Sequence, residues 1–175
     1  MEILFILLFV FVSYLLGSVP TAVWVGKAFY GVDVRDFGSG NAGATNTFRV
    51  LGIKAGLLVF LIDFAKGLTA ASLVRFFGTI EPSSIRWVNI QLLFGVSAVM
   101  GHIFPIFAKF KGGKGIATLF GMVVAIHYEP ALYCAAIFIL MLLFTRYVSL
   151  SSMSAVVLFP VLLIYVFRED AQLLI

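Results

Sequence analysis

Two glycine-rich segments hold most of the polar chemistry in an otherwise apolar sequence: "GSGNAGATNTFRVLG", Gly38 to Gly52, and "GHIFPIFAKFKGGKGIAT", Gly101 to Thr118. Glycines in series let backbone N–H groups turn toward an anion, and a loop feeding a helix start adds the favourable end of the helix dipole. In the second segment a helix starting near Gly115 makes that geometry available at Gly112, Gly113 and Lys114, with Lys111 and Lys114 supplying full charges. In the first, Gly38, Ser39, Gly40, Asn41, Thr45, Asn46 and Arg49 offer amides, hydroxyls and a guanidinium. Phosphate is the guest these parts fit. Turn glycines beside ordinary membrane-flanking lysines account for one such segment, and less well for two together.

Other chemistries lack their residues. Gly38, Gly40 and Gly43 satisfy G-x-G-x-x-G with Asp63 beyond them, but no strand precedes and Asp63 falls in an apolar span, so a dinucleotide site is excluded. "KGGKGIAT" is no nucleotide P-loop, because Ala108 stands where the first glycine belongs and Gly115 where Ser or Thr should hold magnesium. There is no metal-ligand spacing, no G-x-S-x-G elbow, and a single cysteine, Cys134. We expect no metal, no cofactor and no nucleic-acid partner. Amides, lysines, an arginine, hydroxyls and His102, opening at a bilayer that can supply an acyl chain, suit transfer of an activated acyl group to a small phosphorylated alcohol.

The elements that position these residues are membrane helices. Of 175 residues 62% are hydrophobic and 11% charged, against about 25% charged in a soluble domain. Cutting at the charges gives apolar runs at 3–26, 55–74, 87–108, 115–128, 130–145 and 147–167. We therefore expect an all-α, polytopic transmembrane helical bundle of six spans in a single domain, 1–175. The 115–128 run is short, about 21 Å as a helix against a hydrocarbon core of about 30 Å. Lys27, Arg35, Arg49, Lys54, Lys109, Lys111, Lys114 and Arg146 fall on one side, and Arg75, Arg86 and Arg168 on the other. Eight against three puts both glycine-rich segments in the cytoplasm and the N-terminus outside.

Three ionisable groups interrupt the spans. Asp63 and Lys66 share a helix face at i, i+3, either as an ion pair orienting their helix or as a ligand or proton relay. His102, three residues before Pro105, is either a buried hydrogen-bonding side chain or a group at the phosphate site.

The two segments, with "DFAKG", "YLLGSVPTA" and "RYVSLSS", resemble the PlsY family of bacterial acyl-phosphate:glycerol-3-phosphate acyltransferases over essentially the whole chain. The resemblance implies a multi-pass enzyme of the bacterial inner membrane. It would move a fatty acyl group from acyl phosphate to the 1-hydroxyl of glycerol 3-phosphate, giving lysophosphatidic acid and phosphate. On this analogy the Ser39 loop and the Gly112 to Lys114 loop cradle the donor phosphate, while Arg49 and Lys114 hold the acceptor's. The family pattern of seven spans and a third, His-Arg-Glu-Asn type motif is not reached before Ile175, so the resemblance implies a C-terminally truncated chain.

Ser39 has two readings. As a nucleophile it needs a base, for which His102 is the candidate on that side; as a phosphate ligand it needs only its hydroxyl and neighbouring amides. A different class of function, a carrier for phosphate or an organophosphate, would use interrupted helices and the intramembrane Asp63 and Lys66 as a path, with matching motifs on both sides.

Overall fold

The computed structural model describes residues 1–165. Arg168 and the closing "AQLLI", which reads as the start of another apolar helix, lie outside the described residues. Among the described residues there are eight α-helices and no strand: α1 Glu2–Ser18, α2 Thr21–Tyr30, α3 Ala44–Leu51, α4 Ile53–Ser72, α5 Ile85–Ile103, α6 Ile116–Ile126, α7 Tyr128–Thr145 and α8 Val148–Tyr165. Five apolar stretches among the described residues are long enough to cross a membrane: Glu2–Tyr30, Ile53–Phe76, Ile85–Ala108, Tyr128–Thr145 and Val148–Tyr165. The expected sixth, α6, has 11 residues. It is therefore only about 16 Å long.

The first run, expected as one helix, is two. Pro20 has no N–H to donate and disfavours helical backbone at the residue before it, and Val19 is accordingly extended. Its carbonyl has no helical donor four residues on and accepts instead from Thr21 N at 2.9 Å, which leaves a second lone pair in the apolar interior. Lys66 Nζ adds a charged donor to the same carbonyl at 2.5 Å from across the bundle.

Close backbone approach at small residues fixes the helix pairs. Arg86 of α5 bonds Glu2 of α1 at one end, Gly17 meets Ala98, and Gly101 meets the Tyr14 carbonyl toward the other end, so α1 and α5 run parallel. In the antiparallel pair, a Cβ on Gly67 would strike the Thr118 carbonyl, and one on Gly121 would strike that of Phe64. These contacts centre α6 against α4 and α5, as membrane helices that associate through packing require. The α7–α8 hairpin packs mainly on itself, and Leu143, Phe144, Met153 and Val157 face outward.

Candidate functional site

The first glycine-rich segment is a loop only as far as Gly43; the rest is α3. Gly38 and Gly40 take the left-handed conformation, φ 62° and 71°, and any side chain on Gly38 would collide with Asn46 Oδ1. That reversal brings Ser39 over Asn46. The single oxygen Asn46 Oδ1 accepts from Ser39 N at 2.8 Å and from Ser39 Oγ at 3.1 Å. Asn46 Nδ2 donates to the carbonyls of Val34, at 2.8 Å, and Phe37, at 3.1 Å. With its hydrogen-bonding capacity engaged and only 1% exposure, Asn46 is a bracket under the loop, not the open ligand that its sequence position suggests. Thr45 and Arg49, one helical turn apart, are exposed on the other face of α3.

The second segment folds back along the end of α5. Gly112 N donates to the Ile103 carbonyl at 3.2 Å, and Gly113 N to that of His102 at 3.1 Å. Both N–H groups expected to face an anion thus face their own chain. The glycines serve close approach: a Cβ on Gly112 would strike the His102 carbonyl, and one on Gly113 the His102 ring. Amides without an intrahelical partner belong instead to the first turn of α6, where Leu119 N to Gly115 O, at 2.7 Å, is the first helical bond. Gly115 caps α6 and Gly43 caps α3, and neither cap contributes a side-chain bond. Lys111 and Lys114 are exposed beside the start of α6.

The two segments touch. The Ala42 carbonyl lies 3.0 Å from where a Cβ on Gly113 would sit, next to the α3 cap on one side and two residues before the α6 cap on the other. Two helix starts without a side-chain cap therefore begin beside one contact, and Ser39, Thr45, Arg49, Lys111 and Lys114, on the two segments that meet there, are exposed. Helix N-termini and cations favour negative charge nearby, so this arrangement is suited to an anion. Two cavities of about 490 and 500 Å³ lie elsewhere, one between α7 and α8 and one lined by Arg75, Trp87 and Gln91.

Beneath the site lies a buried polar cluster. Lys66 Nζ donates to Asp63 Oδ1 at 2.6 Å and to Thr21 Oγ1 at 2.5 Å, in addition to Val19 O. His102 Nδ1 lies 3.3 Å from Thr118 Oγ1 and 3.6 Å from Asp63 Oδ1. Lys66 is thus engaged in closing the α1–α2 break. His102, 7% exposed, supports Gly113 from below and lies among these buried groups, whereas Ser39 is out on the surface.

Sequence reasoning missed Asp33 and Arg35. Asp33 takes Arg35 through two oxygens, Nε to Oδ1 at 2.9 Å and Nη2 to Oδ2 at 2.7 Å, and also meets Lys27 Nζ at 3.2 Å. The guanidinium holds the Asp33 carboxyl well below the usual carboxylate range, and the carboxylate raises Arg35 in return. The signal was the two-residue spacing in "DVRD", which is too common to single out.

A family model described as glycerol-3-phosphate acyltransferase matches residues 7–175. A glycerol-3-phosphate acyltransferase of Enterococcus faecalis (strain ATCC 700802 / V583) is 52% identical over 155 residues, 87% of this chain and 67% of that protein. Two crystal structures of PlsY, an integral membrane glycerol 3-phosphate acyltransferase, are similar at 41% identity, covering 91% of this chain and 76% of theirs. The glycerol 3-phosphate form gives a TM-score of 0.79 and the lysophosphatidic acid form 0.76. The chain spans about two-thirds of the length of the first curated relatives it matches. With its multi-pass architecture and two apposed glycine-rich segments, the chain belongs to the glycerol-3-phosphate acyltransferase family.

Proposed function

We propose that the protein transfers a fatty acyl group from acyl phosphate to the 1-hydroxyl of glycerol 3-phosphate, at the cytoplasmic face of a bacterial inner membrane. The observation that carries this reading is the Ala42–Gly113 contact, which brings together two segments that each lead into a helix start without a side-chain cap and each carry exposed cations. Both substrates are phosphates, one on a lipid chain and one on a small polyol, so one electropositive surface at the bilayer edge serves both. Family membership and the glycerol 3-phosphate and lysophosphatidic acid forms of PlsY support the same acceptor and product.

In the transfer, the acceptor hydroxyl oxygen bonds to the acyl carbonyl carbon and the carbon–oxygen bond to the donor phosphate breaks. The hydroxyl proton goes to the departing phosphate, giving lysophosphatidic acid and inorganic phosphate. The chain's part is positioning and charge stabilisation. Arg49 and Lys114 hold the acceptor phosphate, while Ser39 and the first-turn amides of α6 hold the donor's. Ser39 acts as a ligand: its hydroxyl meets the Asn46 amide oxygen, which is no general base, and turns its one proton from that oxygen to the donor phosphate when phosphate binds.

Purified protein in lipid vesicles with chelator should convert acyl phosphate and glycerol 3-phosphate to lysophosphatidic acid and phosphate. Strict dependence on acyl-CoA would overturn the donor assignment. Uptake of glycerol 3-phosphate into vesicles without acylation would favour a carrier.

A further inference from the structure

We propose that Arg35 is a positioning residue, a clamp that fixes the lysine-bearing segment relative to the serine-bearing loop. This rests on the reading that the two segments act as one phosphate site.

Arg35 starts from a fixed base. It lies in a short 3-10 turn, Val34–Asp36, and Val34 is fully buried in a cluster with Ala22, Val25, Ala55 and Val59. Asp33 accepts the Arg35 backbone N–H at 3.1 Å and then grips the guanidinium through both carboxylate oxygens. Backbone and side chain are therefore held by the same carboxylate. Such a two-point grip leaves Nη1 aimed in one direction.

That direction is across to the other segment. Nη1 donates to the carbonyls of Ala108 at 3.2 Å and Lys111 at 3.4 Å, which are 73 and 76 residues away in the chain. Between those carbonyls, Lys109 and Phe110 both take the left-handed conformation, φ 55° and 59°, which non-glycine residues avoid. Two such residues in succession persist only where the surroundings over-determine them. The inner side of the turn is closed by Ala108 N and Phe110 N on the Pro105 carbonyl. Its outer carbonyls meet Arg35.

The clamp leads directly into the site. Lys114 lies three residues after Lys111, and Ser39 lies four residues after Arg35. Gly112 and Gly113 between Lys111 and Lys114 are pinned to α5, so little slack separates the clamped carbonyl from the Lys114 backbone. A lysine at position 35 would keep the charge. It lacks the planar fork needed to take Asp33 at two points and reach two carbonyls together.

The test pairs a distance with a rate. Spin labels go at exposed Asp36 and Phe107, one on each segment, as Asp36→Cys and Phe107→Cys in a Cys134→Ala background. Pulsed electron resonance in vesicles should give a narrow distance distribution for Arg35, and a broad one for both Arg35→Gln and Arg35→Lys. In the unlabelled variants kcat/KM for glycerol 3-phosphate should fall about a hundredfold, since an ångström of misplacement has that effect. Circular dichroism unchanged from the parent establishes that the variants fold. Should Arg35→Lys misfold, Asp33→Asn, which loosens the same grip, should broaden the distribution instead.

Distances as narrow in Arg35→Gln as in the parent would overturn the clamp, as would full activity in Arg35→Lys. A parent with narrow distances that broaden in Arg35→Gln, but with no acyl transfer, would sustain the clamp and sink the functional reading.

Discussion

Asn46 Oδ1 accepts both the backbone N–H and the hydroxyl of Ser39, and the Asn46 amide hydrogens close on the carbonyls of Val34 and Phe37. One buried side chain thus fixes the loop that presents the serine. Asn46→Asp keeps the shape but replaces two donors with an oxygen facing two carbonyls. An unsatisfied or repelled buried polar group costs about 1–3 kcal/mol. We expect a ten- to hundredfold loss in acyl transfer from a variant that remains inserted and helical; parental activity would show that the bracket is dispensable.

Ser39→Ala separates ligand from nucleophile. Loss of one hydrogen bond to phosphate should lower kcat/KM while leaving measurable turnover, since charge-assisted bonds contribute about 1.5–3 kcal/mol. Complete loss of activity, or an acyl adduct on Ser39 detected by mass spectrometry during turnover, would reverse the assignment.

The Lys66 ammonium should prove structural. Lys66→Met removes the charged donor to the Val19 carbonyl, leaving it Thr21 N alone along the backbone, and leaves Asp63 buried without its cation, a change that typically destabilises by about 3–5 kcal/mol. Adding Asp63→Leu should recover much of that loss in thermal unfolding in detergent. A Lys66→Met protein as stable as the parent would contradict the closure of the α1–α2 break.

Helix α6 is set by backbone contact. At Gly121 a side chain would strike the Phe64 carbonyl, so Gly121→Val should force α4 and α6 apart at about 1–3 kcal/mol. A lower melting temperature together with weaker glycerol 3-phosphate binding is the expected pair of results, because the start of α6 borders the proposed phosphate site. Unchanged stability would mean that the pair tolerates separation.

What could be read from the sequence divides along physical lines. Apolar runs of 16 to 22 residues mark spans whatever their partners, and they agree with α4 and α7 to within two residues, with α5 to within five and with the start of α8 to within one. Lys66 and Asp63 were legible as a pair because i, i+3 spacing on a helix is local. The third partner of Lys66, the Val19 carbonyl, was not, since it arises from a proline break 47 residues away. Gly112 and Gly113 illustrate the same limit: glycine announces either open amides or close packing, and the return of the segment along α5 decides for packing. Arg35 was passed over because its distant partners are backbone carbonyls, which have no sequence signature.

Calorimetric titration of glycerol 3-phosphate into the purified protein, the Arg49→Ala variant and the Lys114→Ala variant tests most directly whether the two apposed segments form one phosphate site. Each charge-assisted contact is worth about 1.5–3 kcal/mol, so each substitution should weaken binding roughly ten- to hundredfold. Lys114→Arg should weaken it as well, because a planar guanidinium does not replace a compact ammonium beside Gly113 and Gly115. Affinity that stays at the parental value in both alanine variants would contradict the account.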